Sequence, residues 1–288
     1  MAYHCGLNAW EINSLVVHGV SNDPLGPFIY SDIALPIWHH NPQIIQAPDG
    51  KFLLMSIGMS PEGQVANCTP SSSSTDNTIP PTFDPTNLQF THGAELVEMH
   101  TSSSPYGPWE PVIVNGNNNL FNGTNPSPYI FPNGTIYVAS HNNEGLTISN
   151  ATSYLGPYTE GITVITYADY GDNYTFEDPF LWYDTNANIW RVLLHMYNRS
   201  DTRDQFRVGG YGQSLTSNVY GPWILQTDSE PAYTTFIELD NGTNITLSRR
   251  ERPKLLFDNI TNEPRYLYTG VCPSNGNCYT LGQEIGPN

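Results

Sequence analysis

Apolar residues in this chain come in short runs, among them SLVVHGV, KFLLMSI, TIYVAS, WRVLLHM and PRYLYTGV, with Gly, Pro, Asn and Asp between them. Runs of this length, bounded by turn formers and rich in branched and aromatic side chains, predict β-strands. Helical periodicity is nearly absent. The pattern predicts an all-β chain with many turns.

The runs recur in order. One unit is a Gly-Pro-aromatic turn after Ser-rich polar residues, at Gly26, Gly107, Gly156 and Gly221. The other is a proline opening an apolar strand, followed by a turn and a second strand. Aligned on Pro42, Pro128, Pro179 and Pro253, it is preceded by Asn41, Ser127, Asp178 and Arg252. The two units alternate, which predicts repeats of four antiparallel strands, the blades of a β-propeller. Three blades are complete and one is partial at each end. We expect a five-bladed ring whose first blade is incomplete at the N-terminus, four-bladed closure being the alternative. The chain is read as a single domain, residues 1–288, with a flexible polar insertion near 60–90.

Composition narrows the partners. The net charge is −17, from 27 acidic against 10 basic residues. That disfavours nucleic acid and anionic membrane surfaces, which need clustered Lys and Arg. No run of about 18 apolar residues predicts a membrane-spanning helix. Charged residues make up 13%, against about 25% in ordinary soluble domains. Asn-X-Ser/Thr occurs at Asn67, Asn122, Asn133, Asn150, Asn173, Asn198, Asn241, Asn244 and Asn259. With four cysteines, readable as Cys272–Cys278 and Cys5–Cys68, this predicts an extracellular, secreted glycoprotein with disulfides. The opening MAYHCGLNAW lacks the basic and apolar segments of a signal peptide.

In a propeller the first strand of each blade lines the axis, so its opening residues gather around one mouth. This gathers His39, His40, Asn41, Asn125, Ser127, Glu177, Asp178, Arg250, Glu251 and Arg252. Trp38 and His195 are further pocket candidates, with Trp182, Tyr174 and Tyr197 as aromatic platforms for stacking on a ligand. Three of the scarce basic residues, Arg249, Arg250 and Arg252, flank Glu251. An arginine fork there would suit a carboxylate or sulfate ester on a ligand.

The strand openers HNP, EDPF and RRERPKLLFD, with Gly-Pro-Trp turns between, resemble the five-bladed propellers of family 43 glycoside hydrolases, over roughly residues 38–271. The resemblance implies inverting hydrolysis of a plant or algal polysaccharide by a glutamate acid, an aspartate that tunes it and an aspartate base. Glu251 matches the acid and Asp178 the tuner, with Glu177 beside it. Strand alternation would let only one of Glu177 and Asp178 face the pocket. No base is evident: Asn41 and Ser127 open the earlier blades. It could lie upstream or on a loop (Asp172 or Asp204), or the pocket binds sugar without cleaving it. No cofactor is required. Calcium on the axis is allowed by the resemblance, and no other metal is assigned. We expect a monomer whose partner is a carbohydrate.

Overall fold

The structure is a computed structural model that describes residues 2–3, 14–36, 39–58, 96–116, 118–170, 174–198, 208–226, 231–239, 241–274 and 278–286. The 60–90 insertion, Trp38, Asp172, Asp204, Cys5 and Cys68 lie outside the described residues. Apart from one 3-10 turn at Tyr167–Tyr170, the regular elements of the described residues are all strands. They form four blades in a ring, a β-propeller.

The first blade is β4 (His39–Gln46), β5 (Phe52–Gly58), β6 (Leu96–Ser102) and β7 (Glu110–Pro111), with β8 (Asn119–Asn122) also pairing β6. The second is β9 (Thr124–Ile130) to β12 (Ile162–Thr166), through β10 (Ile136–His141) and β11 (Gly145–Ala151). The third is β13 (Tyr174–Asp184), β14 (Ile189–Asn198), β15 (Val208–Ser214) and β16 (Trp223–Gln226). In the fourth, β17 (Phe236–Glu238) pairs the leading end of β18 (Asn244–Phe257), followed by β19 (Pro264–Pro273) and β20 (Tyr279–Glu284).

The remaining strands, β1 (Ala2–Tyr3), β2 (Ser14–Val20) and β3 (Ile29–Leu35), make a three-stranded sheet. It touches β4 on one side, and the fourth blade on the other, where Tyr268 donates to the Pro24 carbonyl at 2.7 Å. Among the described residues it is not a complete fifth blade. The four-bladed alternative therefore describes the complete blades.

The inner strands are β4, β9, β13 and β18. β9 packs beside β4 and β13, and β18 beside β13. Side chains close the ring from β18 to β4: Arg252 Nε donates to Asn41 Oδ1 at 2.6 Å, and Lys254 Nζ to Gln43 Oε1 at 2.9 Å. Between blades the core is aliphatic and aromatic, with Leu53, Met55, Val97, Met99, Ile136 and Val138 in one cluster and Phe176, Leu181, Trp190 and Leu194 in another. Second strands such as β5 are buried on both faces, which is why they read as unbroken apolar runs. The Gly-Pro turns at Gly107 and Gly156 separate third from fourth strands, with the glycines at φ 83 and 76. That conformation is open to glycine at little cost. A disulfide joins Cys272 to Cys278.

Candidate active site

Each inner strand carries a residue with positive φ just before its buried apolar run: Asn41 at 50, Asn125 at 55, Asp178 at 53 and Arg252 at 57. Asn and Asp tolerate this left-handed conformation better than other side chains; an arginine there is strained. Pairing registers shift between His40 and Gln43, Thr124 and Ser127, Glu177 and Phe180, and Glu251 and Lys254, so each of these positions lies at a bulge. The device turns one polar side chain per blade inward. It also corrects the alignment: the second blade's equivalent is Asn125 before Pro126, not Ser127 before Pro128. Ser127 is fully buried, and its hydroxyl accepts the Leu181 amide at 2.8 Å.

These four residues meet around Asn41. Its Nδ2 donates to Asn125 Oδ1 at 2.5 Å and Asp178 Oδ1 at 2.6 Å, while its Oδ1 accepts from Arg252. Arg252 also pairs with Glu251 and lies 3.3 Å from His40 Nε2. His40 Nδ1 is 2.8 Å from the Ser14 hydroxyl. Burial first, and Arg252 second, lower the His40 pKa to about 3, so this imidazole is neutral at ordinary pH.

Strand alternation does not separate Glu177 from Asp178, because Asp178 lies within the bulge that follows Glu177. His195 Nδ1 is 3.2 Å from Glu177 Oε1 and 3.7 Å from Asp178 Oδ2. Burial works to raise the Asp178 pKa, but Arg252, His195 and Asn41 outweigh it and hold the carboxyl well below the usual range. Burial also works to lower His195, and the two carboxylates outweigh it, raising the imidazole to about 9. The result is a charged histidine between two carboxylates. Asp178 Oδ2 and His195 Nε2 are buried without hydrogen-bond partners. Glu177 is the accessible member, its side chain 30% exposed against 2% for Asp178 and 8% for Glu251.

Other expected site residues point elsewhere. The Arg250 guanidinium is used inside its blade, donating to Thr269 Oγ1, the Thr234 carbonyl and Gln283 Oε1, with the Tyr233 ring 4.9 Å from its carbon. His39 turns into the first blade toward Glu98 and His100. Neither Arg250 nor Arg252 offers an uncommitted fork to an anionic ligand.

Beside the mouth, between the second and third blades, lies a polar cleft of about 370 Å³. Its lining includes Thr124, His141, Asn142, Glu160, Thr175 and Tyr197, hydrogen-bonding groups and an aromatic of the kind that hold hydroxylated ligands. Sequence reasoning missed most of this wall, because His141, Asn142 and Glu160 sit in strand ends and turns with no repeated signature. Calcium takes six to eight oxygen ligands. Glu177, Asp178 and His195 offer two carboxylates and an imidazole, with Arg252 also bearing on Asp178, and do not fit it.

No protein-family model matches the sequence, and no curated protein matches it. By structure the chain is similar to the endo-arabinase of Bacteroides thetaiotaomicron, with a TM-score of 0.56 and 10% identity over 100% of this chain and 98% of that one. It is similar to a thermostable family-43 glycoside hydrolase, with a TM-score of 0.54 and 14% identity over 91% of this chain and 83% of that one. An exo-β-1,3-galactanase of Phanerochaete chrysosporium follows, with a TM-score of 0.53 and 13% identity over 96% of this chain and 55% of that one. At these identities the likeness is one of fold, and the fold is that of the family 43 glycoside hydrolase propellers.

Proposed function

We propose that this protein is a glycosidase acting on a plant or algal polysaccharide or oligosaccharide, as a secreted monomeric glycoprotein. The observation that carries the reading is the convergence of Glu177, Asp178 and Glu251 at one end of a propeller shared with arabinan- and galactan-cleaving enzymes. Exposed sequon asparagines at Asn133, Asn241, Asn244 and Asn259 support the extracellular part. Asn150 is different, since its Oδ1 accepts from Thr159 and Tyr220.

In this reading the reaction is inverting. Glu251 protonates the glycosidic oxygen as the anomeric bond breaks, and a carboxylate on the other face takes the proton of the attacking water. Asp178 stays ionised and favours the protonated form of a neighbouring acid. Glu177, with water access and His195 to hold its charge, takes the part of the base. Glu251 can act as an acid only after Arg252 releases it, so a bound sugar must draw that guanidinium away.

Hydrolysis of arabinan, β-1,3-galactan and xylan, followed by reducing-end release, tests this. Glu251→Gln and Glu177→Gln are each expected to lower kcat about 100-fold or more with oligosaccharide binding kept. Hydrolysis that survives both substitutions would rule the assignment out. A second reading, a glycan-binding propeller without catalysis, is favoured by Asn41 and Asn125 standing where an aspartate base is expected, and by the Glu251–Arg252 pair. Binding without hydrolysis by the unsubstituted protein would select it.

A further inference from the structure

The first blade holds a second cluster of titratable side chains, away from the axial network. His39 opens β4, and Glu98 and His100 stand two apart on β6, where alternation gives them one face. All three are buried, and one donor atom from each lies within 4.8 Å of the others. His39 Nε2 is 3.5 Å from Glu98 Oε2, and the rings of His39 and His100 meet edge to face at 5.2 Å.

The surrounding hydrogen bonds orient these groups. His39 Nδ1 is 3.0 Å from the Pro36 carbonyl. A carbonyl only accepts, so Nδ1 carries the proton, and in the neutral ring Nε2 presents a lone pair to a carboxylate oxygen. Two acceptors facing each other at this distance call for a cation between them or a second proton on His39. Asn118 Nδ2 holds the other oxygen, Glu98 Oε1, at 3.0 Å. His100 Nδ1 is buried with no hydrogen-bond partner. Ser56, opposite Glu98 on β5, is fully buried with its hydroxyl unpaired. Gly58 admits the carboxylate: a Cβ there would stand 1.9 Å from Glu98 Cδ.

We infer that His39, Glu98 and His100 form a binding site for one divalent transition-metal ion of zinc's class. Two imidazole nitrogens and one carboxylate oxygen are the donors that such borderline ions select, whereas calcium and magnesium take oxygen. Zinc bonds of about 2.0–2.2 Å in a tetrahedron put neighbouring donors roughly 3.3–3.6 Å apart, which the His39–Glu98 separation meets. The Pro36 and Asn118 contacts are the outer bonds that fix a ligand's tautomer and orientation. A metal here would tie β4 to β6 immediately before His40 and Asn41. It is structural, and it does not depend on the hydrolase reading.

The full chain, treated with chelator and dialysed, is titrated with zinc chloride by calorimetry and with cobalt chloride by visible absorption. One tight equivalent, a four-coordinate cobalt spectrum and a raised Tm are expected. His100→Asn should weaken zinc binding more than 100-fold, and Asn118→Ala, which keeps all three ligands, about tenfold. His195→Gln should leave it unchanged, which separates this site from the axial cluster. No zinc uptake by the folded protein, or wild-type affinity in His100→Asn, overturns the proposal. Should His100→Asn fail to fold, zinc-edge X-ray absorption of the unsubstituted protein decides: imidazole scattering supports the site, and its absence overturns it.

Discussion

Glu177-Asp178-Pro179 in the third blade and Glu251-Arg252-Pro253 in the fourth occupy matching positions, each at a bulge and each with its central residue at positive φ. The backbone device is the same, but the charge at its tip is opposite. Across the strand pair, Glu177 faces His195 and Glu251 faces Gly270. With a cation supplied by its neighbour strand, the third blade can carry two carboxylates. Among the described residues the fourth has no such neighbour and answers its glutamate with arginines of its own strand, Arg252 and, at 3.8 Å, the more exposed Arg249. Asn41, bonded to both Asp178 and Arg252, lets the two blades share charge across the axis. One scaffold position thus yields an acid–histidine cluster with one accessible carboxylate in one blade and an ion-paired glutamate in the next.

The largest test of that comparison removes the shared cation. Arg252→Met leaves Asp178 and Glu251 buried without it and should cost about 3 kcal/mol in denaturant unfolding. Adding Asp178→Asn should recover at least about 1 kcal/mol of that loss. Strict additivity would mean the blades do not share charge.

The next test is pH. His195 has a folded pKa of about 9 against roughly 6.5 unfolded. Its stabilisation is therefore complete below about pH 6.5 and lost as pH rises through about 9. Tm measured across that window should fall in the parent and stay flatter in His195→Gln. A parallel fall in both would remove the charged histidine from the account. The smallest effect concerns Gly270. A Cβ there would lie 3.7 Å from the Glu251 carbonyl and 3.9 Å from its Cγ, ordinary contact. Gly270→Ala should change stability by no more than about 0.5 kcal/mol, so a large loss would show that the fourth blade needs glycine for more than lack of a partner.

The propeller was legible because strand-opening prolines and Gly-Pro turns repeat, and repetition survives where single motifs are ambiguous. The axial membership of Asn41, Asp178 and Arg252 was legible for the same reason. Asn125 was named, but its register was misplaced by two residues, since NPSP offers two prolines and only the conformation tells them apart. Which way Arg250 and His39 point was hidden, because a bulge resets alternation and no spacing records it. The His39–Glu98–His100 cluster was hidden too, since its members come from two strands separated by a long insertion.

Arg252 reaches Asn41 across 211 positions of chain. A contact so distant in sequence bears the full entropic cost of closing the loop between its ends. Individual blades can gain most of their local pairing before it forms, but the mouth cannot exist until first and last blades are joined. The polar centre therefore acts as the molecule's clasp, and any ligand that needs it will recognise only chains that have finished folding.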